Sequence, residues 1–144
     1  MSPFRLEIIT AERELFVGDV NMLIASGREG QLAILPNHAP LLTELEAGLV
    51  EYRTDGESEE LAVMGGFLEV LNNRVVVLAD AAERADDIDI ERAEVAMKRA
   101  QERIDNREAD IDFERALRQV TRSRARLNVA RRRRRQPAPP SPTS

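Results

Sequence analysis

The chain's 144 residues, 42% of them apolar, suffice for one small domain with an appendage, and the absence of cysteine excludes disulfides, thiolate metal sites and a cysteine nucleophile. Its net charge of −5 hides a division: through Arg84 six basic residues stand against fifteen acidic ones, whereas beyond it fifteen basic residues outnumber eleven acidic ones. Every charged residue after Glu114 is an arginine, so a partner with an acidic face is expected.

No run approaches the roughly 20 apolar residues of a membrane span. The start, MSPFRLEIIT, lacks the basic and apolar regions of a secretory signal, so the expectation is a soluble, cytoplasmic chain. Phe4, Leu6 and Ile8 alternate with polar residues, and Phe16, Val20, Met22 and Ile24 fall on one period-two side, the pattern of half-buried strands. Turn residues recur at Gly18-Asp19, Gly27 to Gly30, Pro36-Asn37, Asp55-Gly56 and Asn72-Asn73. Thr54-Asp55-Gly56-Glu57 and Leu71-Asn72-Asn73-Arg74 read as hairpin tips. The run Arg74 to Ala79, RVVVLA, reads as a central strand buried on both faces. Residues 1–84 are therefore expected to form an antiparallel β-sandwich.

The stretch Leu78 to Ala93 changes the pattern, and no glycine follows it. Asp86, Asp87 and Asp89 suit a helix start, because a short carboxylate accepts first-turn amide hydrogens and complements the positive helix end. Ile90, Ala93, Met97, Ala100 and Ile104 then form one helical stripe, with Arg92, Arg99 and Arg103 expected opposite. After a polar link at Asp105 to Asp112, Phe113, Ala116, Leu117, Val120 and Leu127 form a second stripe, with Arg115, Arg118, Arg122 and Arg126 expected opposite. Residues 85–130 thus read as an antiparallel two-helix hairpin, giving an α+β chain of two modules. Few large side chains line either stripe, so weak docking on the sandwich is expected. Residues 131–144, five arginines and a proline-rich end, read as a disordered tail.

The chain has no Gly-rich phosphate loop ending in Lys, no nucleophile elbow and a single histidine, His38, without a metal-ligand set around it. It reads as noncatalytic, with no metal and no required cofactor. His38, in LPNHAPLL, is either a turn residue satisfying backbone groups or a surface contact.

The stretches GREGQLAILPNHAPLLTELEAGLV (Gly27 to Val50) and GGFLEVLNNRVVVLADAAERADDID (Gly65 to Asp89), with the helical hairpin after them, resemble the epsilon subunit of bacterial F-type ATP synthases. The resemblance covers nearly everything up to about Leu127; the arginine run and proline-rich end depart from it. It implies a rotor subunit whose sandwich grips the gamma subunit and the membrane c-ring, on the cytoplasmic face of the bacterial cell membrane through the complex alone. It also implies that the loops Arg28, Glu29, Gly30 and Asn37, His38, Ala39 face the ring, although turn geometry explains Gly27 and Gly30 equally well.

In that family the helices extend along gamma into the alpha and beta subunits and oppose ATP hydrolysis. The resemblance gives that contact to Arg115, Arg118, Arg122 and Arg126, for which a merely solvated basic face is the alternative. Several bacterial members bind ATP through an I/L-D-x-x-R-A motif, present as Ile88-Asp89-Ile90-Glu91-Arg92-Ala93. By resemblance, Glu83, Ile88, Asp89 and Ala93 would surround the base of this regulatory ligand, and Arg92, Arg99, Arg122 and Arg126 would hold ribose and phosphates. Asp89 is equally explained as a helix cap. Nucleic-acid binding through Arg131 to Arg135 is a rival reading, opposed by the acidic sandwich and the lack of aromatic platforms.

Overall fold

A computed structural model describes residues 2–106 and 110–135. Eight strands come first: β1 (Phe4–Ile9), β2 (Glu14–Val20), β3 (Met22–Gly27), β4 (Gly30–Ile34), β5 (Leu41–Thr54), β6 (Glu57–Leu71), β7 (Arg74–Ala79) and β8 (Ala82–Arg84). A short 3-10 turn at Ala85–Asp87 leads to helices α1 (Ile90–Asn106) and α2 (Asp110–Arg135). The strands are hydrogen-bonded in the order β2-β1-β7-β6-β5-β3-β4, with β8 added beside β6, and the sheet folds over into a sandwich.

Both expected hairpin tips are present, with Thr54 paired to Glu57 and Leu71 to Arg74. Asn72 and Asn73 both carry positive φ, which asparagine tolerates better than most residues. Asn73 also ties three segments together: its Oδ1 accepts the Asn37 amide at 2.7 Å and its Nδ2 donates to the Pro3 carbonyl at 3.1 Å.

The long β5–β6 hairpin carries the change of direction. Leu61 and Val63 point into the sandwich core, and beyond Gly65 and Gly66 the inward residues are Leu68 and Val70, so the alternation shifts by one. Gly65 and Gly66 sit at φ of 86° and 128°, and a Cβ on Gly66 would overlap the Leu78 carbonyl oxygen. Only glycine fits there.

The fold departs from the sequence reading in several places. The sandwich is antiparallel except between β1 and β7, which run parallel. In β3 the inward residues are Leu23 and Ala25, not Met22 and Ile24. Asn21 causes this offset: its amide donates to the Arg53 carbonyl at 2.8 Å, and the alternation restarts one residue out of step. β7 is central, between β1 and β6, but buried on one face only: Val75, Val77 and Ala79 point inward while Leu78 stays 52% exposed.

The second helix also differs from expectation. Ala116, Val120, Ser123 and Leu127 are its buried stripe, whereas Phe113 and Leu117 remain exposed. Finally, α2 does not stop before the arginine run. It continues through Arg135, because the first following proline is Pro137 and because Arg131, Arg132 and Arg133 meet carboxylates from elsewhere in the chain. The rest of the expected tail, 136–144, lies outside the described residues.

Two cores result. The larger fills the sandwich and includes Phe4, Leu6, Ile8, Leu23, Leu61 and Leu68. The smaller lies between sheet and helices: Ala62, Met64, Ala85, Ile88, Ala93, Leu127, Val129 and Ala130, with Ala47, Leu49, Ile90, Met97 and Ala125 at its edge. Half of its buried residues are alanines, and each buried methyl contributes only about 0.8 kcal/mol, against about 1.5–3 for a large apolar side chain. The hairpin is thus lightly held by apolar contact.

Candidate functional site

Where α1, α2 and β6 meet, a cleft of about 350 Å3 is lined by Met64, Ala96, Arg99, Arg103, Gln119, Arg122, Ser123 and Arg126. The spacing explains the convergence. Ala96, Arg99 and Arg103 form one flank of the buried stripe of α1, and Gln119, Arg122, Ser123 and Arg126 line one side of α2 at i, i+3, i+4 and i+7. These arginines therefore flank the apolar stripes instead of standing opposite them.

The guanidiniums differ in occupation. Arg126 grips Glu83 through Nε at 2.9 Å and Nη2 at 3.3 Å, both side chains being half-buried. Arg103 Nη1 donates to the Gln119 side-chain oxygen Oε1 at 3.5 Å and so bridges the two helices. Among the described residues no carboxylate pairs with Arg99, Arg103 or Arg122. The cleft is a cationic pocket of the size that small ligands use.

The residues assigned to ATP by resemblance separate into groups. Arg99, Arg122 and Arg126 share the cleft, with Glu83 beside it on Arg126. Ile88 and Ala93 are buried in the helix–sheet core. Asp89 caps α1, its Oδ1 accepting the Arg92 amide at 3.1 Å. The Arg92 side chain is exposed and does not line the cleft. From the sequence Arg103 was placed only on the face opposite the first stripe and Gln119 was not singled out; the step of four from Arg99 was the available signal that Arg103 shares its site.

The other assigned residues lie apart from the cleft. Arg115 and Arg118 are exposed on α2. Arg28 pairs with Glu44 at 2.9 Å, on the turn that precedes β4, and Gly30 opens that strand at φ of 130°. The Asn37–Ala39 loop follows the strand's other end, so roughly 16 Å of extended chain separates the two loops. Asn37 has φ of 64°, the His38 amide donates to the Leu35 carbonyl at 3.2 Å, and His38 Nδ1 lies 2.7 Å from the Ala39 carbonyl oxygen. The turn reading of His38 is therefore satisfied locally.

Residues 3–85 match the family model described as ATP synthase, Delta/Epsilon chain, beta-sandwich domain, and residues 86–131 match the long alpha-helix domain of the same chain. This chain belongs to the ATP synthase delta/epsilon family. A family member from Herpetosiphon aurantiacus, named ATP synthase epsilon chain, is 47% identical over 92% of this chain and 97% of its own length. One of the same name from Dehalococcoides mccartyi strain CBDB1 is 46% identical over 95% and 99%. The fold is also that of a chain in the Euglena gracilis mitochondrial ATP synthase OSCP/F1/c-ring structure, with a TM-score of 0.79 at 16% identity, over 87% of this chain and 79% of that one. The boundary between the two family domains falls within the 3-10 turn that joins the sandwich to the hairpin. Among the described residues no helix is long and apolar enough to cross a membrane, and no three carboxylate or histidine side chains gather as a metal-ligand set.

Proposed function

We propose that the chain is a noncatalytic central-stalk subunit of a proton-translocating ATP synthase. Its sandwich joins gamma to the c-ring, and its hairpin regulates ATP hydrolysis, with ATP as a regulatory ligand. The complex holds it on the cytoplasmic face of the bacterial membrane.

The observation that carries this reading is the cationic cleft beneath a lightly held hairpin. Arg99, Arg103 and Arg122 offer guanidiniums to phosphate oxygens, and no carboxylate among the described residues competes for them. A ligand there touches both helices and β6 at once, so it stabilises only the docked hairpin. On the sandwich, Phe67 pairs across strands with Leu78, and both are exposed beside exposed Leu42 and Leu71. This apolar stripe suits a broad protein interface, which is assigned to gamma. The Arg28–Gly30 turn and the Asn37–Ala39 loop are assigned to the ring as two separated contacts.

Two measurements test the proposal. Sedimentation with gamma should give a stoichiometric complex, and its absence would remove the rotor reading. Calorimetric titration of the intact chain with ATP should show one site. No heat at millimolar ATP would mean that the cleft binds no nucleotide.

A further inference from the structure

We propose that the first three residues of the terminal arginine run, Arg131, Arg132 and Arg133, form an electrostatic latch that holds the hairpin down on the sandwich independently of any nucleotide. The proposal rests on the hairpin being able to open, as the functional reading above requires.

The sheet beneath the end of α2 contains an arrangement that the sandwich alone does not explain. Glu51 of β5 and Glu60 of β6 are direct cross-strand partners, and both are turned toward the helices. Like charges placed opposite one another destabilise a strand pair. Yet these two side chains are 5% and 4% exposed. Glu51 has support from its own sheet, with Arg53 Nε at 3.2 Å and the Ser58 hydroxyl at 2.8 Å. Glu60 has none there: its second carboxylate oxygen is buried without a hydrogen-bond partner. The cation over the pair comes from α2. Arg132 places Nη2 at 3.8 Å from Glu51 and Nε at 3.6 Å from Glu60.

The neighbouring arginines close the remaining sides. Successive residues on a helix point about 100° apart, so three in a row reach three different surfaces. Arg131 meets Glu94 on α1 at 2.9 Å. Arg133, the most buried of the three, meets Asp86 in the connecting turn at 3.2 Å and donates to the Ser58 carbonyl at 3.2 Å. One turn of α2 is thereby tied to its partner helix, to the sheet and to the segment on which the hairpin must pivot. All these contacts belong to the docked form, and every one made by Arg132 and Arg133 to the sheet and turn is lost when α2 lifts. A contact present in only one of two states shifts the equilibrium by its full differential energy. Since half of the buried residues in the apolar core under the hairpin are alanine, these pairs carry weight in that balance.

Because the chain has no cysteine, Glu57→Cys and Asn128→Cys introduce two unique spin-label sites, one on the sandwich and one on α2, for a distance measurement that reads open and closed populations. In the ATP-free full-length chain, Arg132→Leu should raise the open-to-closed ratio about tenfold, as an uncovered carboxylate pair resists burial. Adding Glu51→Gln and Glu60→Gln to that variant should return the closed population, which a purely structural role for Arg132 would not do. The unmodified side chains give an independent reading: raising salt toward about 1 M, where the Debye length is about 3 Å, should open the hairpin, although salt strengthens apolar contacts. An unchanged ratio in Arg132→Leu, or no restoration in the triple variant, overturns the latch. If the labels stay close in every variant and condition, the latch falls together with the mobile hairpin. If the chain opens without ATP but Arg132→Leu opens it no further, only the latch falls.

Discussion

Among the described residues no carboxylate pairs with Arg99 or Arg122 of the cleft, Arg103 is bonded to Gln119, and Arg126 is already engaged by Glu83. Charge-assisted hydrogen bonds to phosphate contribute about 1.5–3 kcal/mol each, so Arg99→Ala or Arg122→Ala should weaken ATP binding by at least about tenfold in calorimetric titration. Arg92→Ala should change affinity by less than about threefold, because its side chain lies outside the cleft. Equal losses from all three would show that the docked arrangement seen here is not the one that binds ATP. The sequence motif led to this neighbourhood but blurred the roles within it. Asp89 could be read as a cap from its own chemistry, since capping is local. Whether Arg92 or Arg103 faces the cleft depends on how two helices are rotated against a sheet, and one-dimensional periodicity gives only each residue's angle to its own stripe.

Among the elements, local turn chemistry was legible and long-range pairing was not. Asp55-Gly56 and Asn72-Asn73 mark their hairpins by residue type, but nothing near Phe4 or Arg74 announces that β1 and β7 lie side by side in parallel. The change of alternation in β6 was similarly hidden, although Gly65-Gly66 was its mark. Gly66→Ala should destabilise the sandwich by at least about 3 kcal/mol in urea unfolding, since the new methyl must displace the Leu78 backbone at an unfavourable positive φ. The fate of the arginine run was misread because its partners are far away in sequence. Docking of α2 also acquires a pH dependence through Glu60. Its carboxyl titrates above the usual 4.5, first because burial disfavours the anion; Arg132 and Arg133 of α2 oppose the rise, and Glu51 of β5 adds to it. Arg53 of β5 and Ser58 of β6 face this cluster through Glu51. Opening exposes Glu60 and returns it toward its ordinary value, so the closed form binds the proton more tightly. This stabilisation is fully present below 4.5 and fades as pH rises through the raised value. Acidification from neutrality should therefore shift the label distance toward closed, and Glu60→Gln should be more closed at neutral pH with a flatter profile.

At the scale of the whole molecule, an acidic sandwich with its own core carries a basic hairpin held by a small, half-alanine core and a row of ion pairs. The sandwich should survive alone, since its strands complete their own pairing; a chain ending at Ala85 should keep β circular dichroism and bind gamma. The proposed function gives the hairpin's arginines a different role in each of two states. Docked, Arg126 is committed to Glu83 while Arg115 and Arg118 face solvent. In the extended state of the proposed function, Arg115, Arg118, Arg122 and Arg126 would all be free to meet acidic residues of the catalytic subunits. On the proposed function, inhibition would compete with both ATP in the cleft and the Arg126–Glu83 pair, and the brake would be weakest when ATP is abundant. Deleting residues from Asp87 onward should raise ATP hydrolysis by the reconstituted complex while leaving coupling intact. Replacing the four arginines with alanine should give most of that rise, even though the same change weakens the docked form, because a hairpin without them gains nothing from reaching the hexamer. Unchanged hydrolysis in both variants, at low ATP and modest salt, would show that the helices are no brake. A rise on deletion without one on substitution would place the inhibitory contact on the exposed Phe113 and Leu117 instead.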